Sequence, residues 1–159
     1  MSLAGRDKDG FERYFDSLMD KLVRKGKAIY DGFRPCSALQ ILEVEEDQDV
    51  ELPRAYKAFL QVMGGGAAMF EGTDYCYPEI LGLRDHAEYL LLTNSVVPLP
   101  EDAFVFMMHQ GYQFSFIRSS EGDDPPVYHY MDGDPSYQQV AETFTGYIRQ
   151  YAQDYMRLV

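Results

Sequence analysis

Phe104-Val-Phe-Met-Met-His-Gln-Gly-Tyr-Gln-Phe-Ser-Phe116 is the stretch on which the fold turns. Phe104 to Met108 is continuously apolar up to His109, the pattern of a strand buried on both faces. Gln110-Gly111 supplies a tight turn. Tyr112, Phe114 and Phe116 then alternate with Gln113 and Ser115, which reads as a half-buried strand pairing back as a hairpin. After the acidic, proline-containing loop Glu121 to Pro126, the run Val127 to Met131 predicts a third strand. Three strands joined in sequence make an antiparallel meander.

Helical signals lie on both sides of it. Downstream, Asp132-Gly-Asp-Pro135 breaks the third strand, and Ser136 with Gln139 has capping-box spacing. Val140, Phe144, Ile148 and Tyr151 then mark the inner face of a closing C-terminal helix. Upstream, Asp85 is placed to cap a short helix through Leu92, with Glu88 at its third position. Ala67 to Phe70 reads as a strand, and Tyr75 to Leu83 as irregular structure around Pro78. Gly64-Gly65-Gly66 stops a helix and offers any positive φ needed to turn back. That helix shows Leu52, Ala55, Tyr56, Phe59, Leu60 and Met63 on one face, with Pro53 suited to its first position. Ser37 and Gln40 form another capping box, predicting a helix from Ala38 to about Glu46. Phe11, Tyr14, Phe15, Leu18, Met19, Leu22 and Val23 repeat at helical spacing, with Asp9 or Asp7 as the cap. Helices first, then a meander, then a closing helix is an α+β order.

At 159 residues the chain is the size of one domain, 1–159. A composition 46% hydrophobic and 14% aromatic is enough to bury a core and argues against disorder. No apolar run approaches the ~20 residues of a membrane span, and Met1 to Gly10 does not resemble a secretory signal. A soluble, cytoplasmic protein is the expectation. Lys and Arg total 14 against 26 Asp and Glu, a net charge of −12. A field of that sign repels phosphate backbones and anionic lipids and attracts cationic partners, so neither direct nucleic-acid nor membrane binding is expected. The basic cluster Lys21 to Lys27 falls at a helix end, where it complements the dipole.

Catalytic chemistry is thin. His86, His109 and His129 fall on different elements, without the i, i+4 spacing of a helical metal pair. His109 and His129 could approach across the sheet, yet a metal would need further ligands. Cys36 and Cys76 are too few and too far apart for a disulfide framework or zinc site, and no flanking pattern marks a reactive thiol. The triple glycine is followed by no Lys-Ser/Thr and sits at a helix C-terminus, so it is not a phosphate loop. No catalytic residue, metal or cofactor is therefore implied.

Binding is better supplied. Glu43 to Glu51 carries six carboxylates in nine residues. Glu45, Glu46, Asp47 and Asp49, with Glu121, Asp123 and Asp124 of the later loop, form a candidate face for a cationic partner. Tyr75, Tyr77 and Tyr128 are candidate interface anchors, because aromatic residues are enriched at binding hot spots. The plainer alternatives are solvated loop charges and core or edge packing. The acidic readings act through the sum of charges rather than any one residue.

Ile41-Leu-Glu43, a short acidic gap, Leu52-Pro53-Arg-Ala-Tyr56-Lys-Ala-Phe59-Leu60 and Gly64-Gly-Gly66 together resemble the SUKH superfamily, the Smi/Knr-like domain. The strand at Phe104 to Met108, the turn at Gly111, the aromatic strand Tyr112 to Phe116, Val127-Tyr128 and Phe144 extend the likeness over Ser37 to Tyr151. Residues 1–30 look like an added helix ahead of a 37–151 core. Met63 stands where the family often has Asn, and the family's tryptophans are absent. The resemblance implies a noncatalytic domain that binds another protein. Bacterial relatives are associated with immunity proteins that neutralise toxin domains, many of them nucleases, in toxin–antitoxin-like systems. Fungal relatives are linked to regulation of cell-wall glucan synthesis. The leading expectation is an immunity protein with an acidic face for a basic toxin domain. The alternatives are a regulatory or scaffold module and, last, a hydrolase or metal enzyme.

Overall fold

The computed structural model describes residues 8–158, and among them the architecture is α+β as expected. Helix α1 (Gly10–Arg24) starts at Asp9, whose carboxylate accepts the Glu12 amide at 2.8 Å. Asp7, the other candidate cap, lies outside the described residues. Helix α2 (Ala38–Gln48) has both halves of its capping box: Gln40 N–H donates to Ser37 Oγ at 3.2 Å and Ser37 N–H to Gln40 Oε1 at 3.0 Å. It runs to Gln48, beyond the expected Glu46, and ends where Asp49 turns left-handed. Helix α3 (Arg54–Met63) begins one residue after Pro53, which leads the chain in with ψ 149° rather than occupying the first turn.

The glycines after α3 act by close approach more than by positive φ. Gly64 has φ −69°. At Gly65 a Cβ would lie 2.9 Å from the Arg34 carbonyl oxygen, so only glycine lets these two segments meet. The expected strand Ala67 to Phe70 is a single 3-10 turn over Ala68–Phe70. Met69 and Phe70 are both buried. Helix α4 (Leu83–Thr93) opens two residues before Asp85. Gly82, at φ 82°, occupies the cap position, and its N–H donates to the Asp47 carboxylate of α2 at 3.0 Å.

The sheet is an antiparallel meander in the order β1 (Ala103–His109), β2 (Gln113–Arg118), β3 (Val127–Met131), β4 (Gln138–Ala141). Gln110 and Gly111 both have positive φ, 50° and 77°, and Tyr112 N–H returns to the His109 carbonyl at 3.1 Å. That is the primed turn whose twist matches a hairpin. Tyr112 belongs to this turn rather than to the strand. The fourth strand corrects the expected helix start at Ser136. Gln138 to Ala141 takes its hydrogen bonds from β3, and Val140 is an exposed strand residue rather than a helical inner one. The closing helix α5 (Phe144–Met156) begins at Thr143, whose Oγ1 accepts the Gly146 amide at 3.0 Å.

Both faces of the sheet are buried along β1 and β2. On one face Phe104 and Phe106 meet Tyr56 of α3, and Phe106 meets Phe144 of α5. Helix α1 packs into this layer through Phe15 against Phe59 and Phe144. The opposite face carries Phe114, Phe116, Tyr128 and Tyr130, with Tyr137 set edge-on to Phe116. Asn94, just after α4, donates to the Tyr130 hydroxyl at 2.9 Å. Strand β2 is therefore buried on both faces, Ser115 and Ile117 included, and is not half-buried as its alternation suggests.

Strand β1 is an edge in the ladder, yet α2 closes its centre. The buried Gln48 amide donates to the Val105 carbonyl at 2.7 Å and accepts the Val105 N–H at 2.8 Å. One side chain thus makes the two bonds a neighbouring strand would make. Arg84 of α4 adds donors to the Ala103 and Pro100 carbonyls. No helix among the described residues is long and apolar enough to cross a membrane.

Candidate partner-binding face

The catalytic alternatives can be placed first. His129 bonds Ser115 Oγ through Nδ1 at 2.8 Å and Gln113 Oε1 through Nε2 at 3.0 Å. Ser115 is fully buried between strands, so this Ser–His pair is internal to the sheet. Burial holds His129 below the ordinary histidine range, favouring the neutral ring that these bonds use. His109 packs instead against Tyr112. Among the described residues no group of three or more His, Cys, Asp or Glu side chains is arranged to hold a metal ion.

Both thiols are buried. Burial pushes Cys36 up to about 11 and Cys76 up to about 12. At neutral pH both stay protonated, and the thiolate is the reactive form. Native protein at pH 8 is therefore expected to react with a thiol-specific disulfide reagent at least tenfold more slowly than denatured protein. Stopped-flow absorbance measures this directly, and equal rates would disprove the buried-thiol arrangement.

The two acidic runs, distant in sequence, border the same turn of α3. Lys57 Nζ lies 3.7 Å from Glu45 Oε2, and Arg54 Nη1 lies 3.5 Å from Asp123 Oδ2. Ala55 N–H also donates to the Asp123 carbonyl at 2.9 Å. Arg54 and Lys57 are three residues apart, hence neighbours on the helix surface. The C-terminal part of α2 and the loop at Asp123 thus flank the start of α3.

The carboxylates differ in how far they are committed inside the molecule. Asp124 accepts the Thr145 amide at 3.0 Å and its hydroxyl at 2.6 Å, anchoring the first turn of α5. Asp47 is tied to Gly82, and Glu121 accepts the Tyr128 hydroxyl at 2.9 and 3.0 Å. Glu45 is half-buried beside Lys57. Glu46, Asp47, Asp49 and Asp123 are the exposed members, Asp47 despite its bond to Gly82, and Glu51 joins them. A shallow groove of about 370 Å³ runs among Leu42, Glu45, Glu46, Asp49, Val50 and Glu51.

The tyrosines divide similarly. Tyr75 is 4% exposed, packed on Phe70 and Tyr151, with its hydroxyl 2.7 Å from that of Tyr147. This corrects its reading as an anchor, since it presents no surface to a partner. Tyr128 is half-buried, its ring stacked on Phe116. Tyr77 is half-buried and donates to Glu43 of α2 at 2.7 Å.

Sequence reading missed Leu39 and Leu42, which are 78% and 49% exposed on α2. The signal was available. Ile41, Val44 and Gln48 follow inward helical spacing, which leaves Leu39 and Leu42 off that face. The outer side of α2 therefore combines two apolar side chains with the carboxylates of Glu43 and Glu46.

No curated protein matches this chain. A family model described as the SMI1/KNR4 family (SUKH-1) matches residues 35–150.

Proposed function

This chain belongs to the SMI1/KNR4 family (SUKH-1), and from that membership we propose that it is a noncatalytic protein-binding domain, an immunity protein that neutralises a basic toxin domain. The observation that carries this reading is the gathering of both acidic runs around the first turn of α3. A nuclease toxin must present Lys and Arg to phosphates, and a carboxylate face that occupies those groups blocks the substrate. Charge complementarity of this kind accelerates association and selects the partner. Leu39 and Leu42 supply apolar contact beside the charges, which long-range attraction alone does not provide.

The test uses a purified basic toxin domain encoded beside this protein's gene. Binding is expected to weaken steeply as salt rises from low to physiological strength. Combined Glu46→Lys, Asp49→Lys and Asp123→Lys is expected to slow association about tenfold or more, with a smaller change in dissociation. Asp124 is left intact because it anchors α5. Unchanged kinetics in that variant would sink the acidic-face mechanism. Salt-independent binding that is lost on Leu39→Ala with Leu42→Ala would move the reading toward a scaffold module.

A further inference from the structure

Gly32, Arg34 and residues of the segments 65–68, 70–73 and 76–79 line a cleft of about 550 Å³, inside the ~300–1,000 Å³ range of small-ligand sites. Glycine shapes its floor. A Cβ at Gly66 would lie 3.0 Å from Arg34 Nε and 3.1 Å from Nη2, so the guanidinium rests against bare backbone that a side chain would occupy. Main-chain bonds fix the backbone of Arg34 beside it: its N–H donates to the Gly66 carbonyl at 2.9 Å, and its carbonyl accepts the Gly65 N–H at 2.7 Å. Among the described residues Arg34 has no ion-pair partner, in a chain with a net charge of −12. Glu71 and Glu79, which also line the cleft, have none either. Ala67, Phe70 and Pro78 give it apolar wall.

A guanidinium set against glycine backbone with its fork unpaired matches a carboxylate. A simple anion is opposed by Glu71, Glu79 and the overall field, and a simple cation leaves Arg34 unanswered. A ligand carrying both charges answers all three groups. We propose that this cleft binds a carboxylate and a cationic side chain presented together, the carboxylate on Arg34 and the cation toward Glu71 and Glu79. That is the chemistry of a lysine or arginine at a free peptide C-terminus, and of the free basic amino acid. The apolar wall accommodates the aliphatic stem of such a side chain. This site is separate from the acidic face of α2 and does not depend on the toxin reading.

The test is a titration of the full chain, followed by amide NMR shifts, with three probes: an N-acetylated tripeptide ending in lysine with a free carboxylate, the same peptide amidated, and free lysine. The free-carboxylate peptide is expected to shift the amides of Gly65, Gly66, Gly72 and Tyr77. Amidation, or Arg34→Gln, is expected to weaken binding about tenfold, with Arg34→Lys in between. Glu71→Gln with Glu79→Gln is expected to erase preference for a terminal lysine over a terminal alanine. Tighter binding of the peptide than of lysine identifies a chain terminus as the ligand; equal binding identifies the amino acid. Arg34 is exposed, and an unchanged circular dichroism spectrum verifies that its variants fold. The proposal is overturned if the amidated peptide binds equally well, if Arg34→Gln changes nothing, or if none of the three probes binds.

Discussion

Gln48→Leu is expected to lower the unfolding free energy by about 3 kcal/mol, although it places an apolar side chain of similar size at a buried position. The substitution strands the Val105 N–H and C=O, and each unpaired buried group costs about 1–3 kcal/mol. Leucine cannot replace either of the bonds at 2.7 and 2.8 Å. Urea unfolding followed by circular dichroism measures the change. A loss under about 0.5 kcal/mol would mean that the pairing contributes no more than an ordinary surface contact. Gln48→Glu separates hydrogen bonding from shape. Its protonated carboxyl can both donate and accept there, while its ionised form has no proton for the Val105 carbonyl and is buried. The introduced group's folded pKa is therefore raised above its unfolded value. Its stabilisation is fully present below the unfolded pKa, about 4.3, and is lost as pH rises through the folded pKa.

Phe144→Ala is expected to cost about 3–5 kcal/mol, the range for emptying a large aromatic site in a core. Phe144 is fully buried at the first turn of α5, with ring centroids 5.3 Å from Tyr56, 5.7 Å from Phe59, 5.3 Å from Phe106 and 6.4 Å from Phe15. It joins α1, α3 and β1 at one point, so the cavity cannot close by moving a single neighbour. Against a total stability of about 5–15 kcal/mol, this change leaves a marginal fold. Thermal and urea unfolding are the measurements, and a loss below about 1.5 kcal/mol would show that the surrounding rings relax into the gap.

The parts of the fold legible in the sequence were those with a local cause. The face Phe15, Leu18 and Leu22 repeats at helical spacing, Ser37 and Gln40 cap their own helix, and Gln110-Gly111 selects its turn without outside help. What stayed hidden depended on partners remote in sequence. Gln138 to Ala141 is a strand because β3 lies beside it, and the spacing of Ser136 and Gln139 pointed to a helix instead. Ala67 to Phe70, read as a strand, is a single turn with Met69 and Phe70 in the core, a choice its apolar run alone does not report. The second face of β2 is covered by partners such as Tyr137, set edge-on to Phe116, which the alternation of Gln113 and Ser115 does not report.

The site divides along the same line. A run of carboxylates is visible as composition, and Glu46, Asp49 and Asp123 do stand exposed. Composition does not disclose that Asp124 bonds Thr145 or that Asp47 holds Gly82. Tyr75, Tyr77 and Tyr128 look alike as letters. Only packing distinguishes a core ring from one at the surface.

Helix α2 carries Glu46 on its exposed side and Gln48 against β1. Local detachment of this one helix would dismantle part of the acidic face and uncover Val105 for pairing with another molecule, the usual route from an open sheet edge to aggregation. Under the proposed function, a partner that gripped α2 would also act as a solubility factor. It would hold the helix down by mass action, so the bound protein should tolerate concentrations and temperatures at which the free protein begins to self-associate.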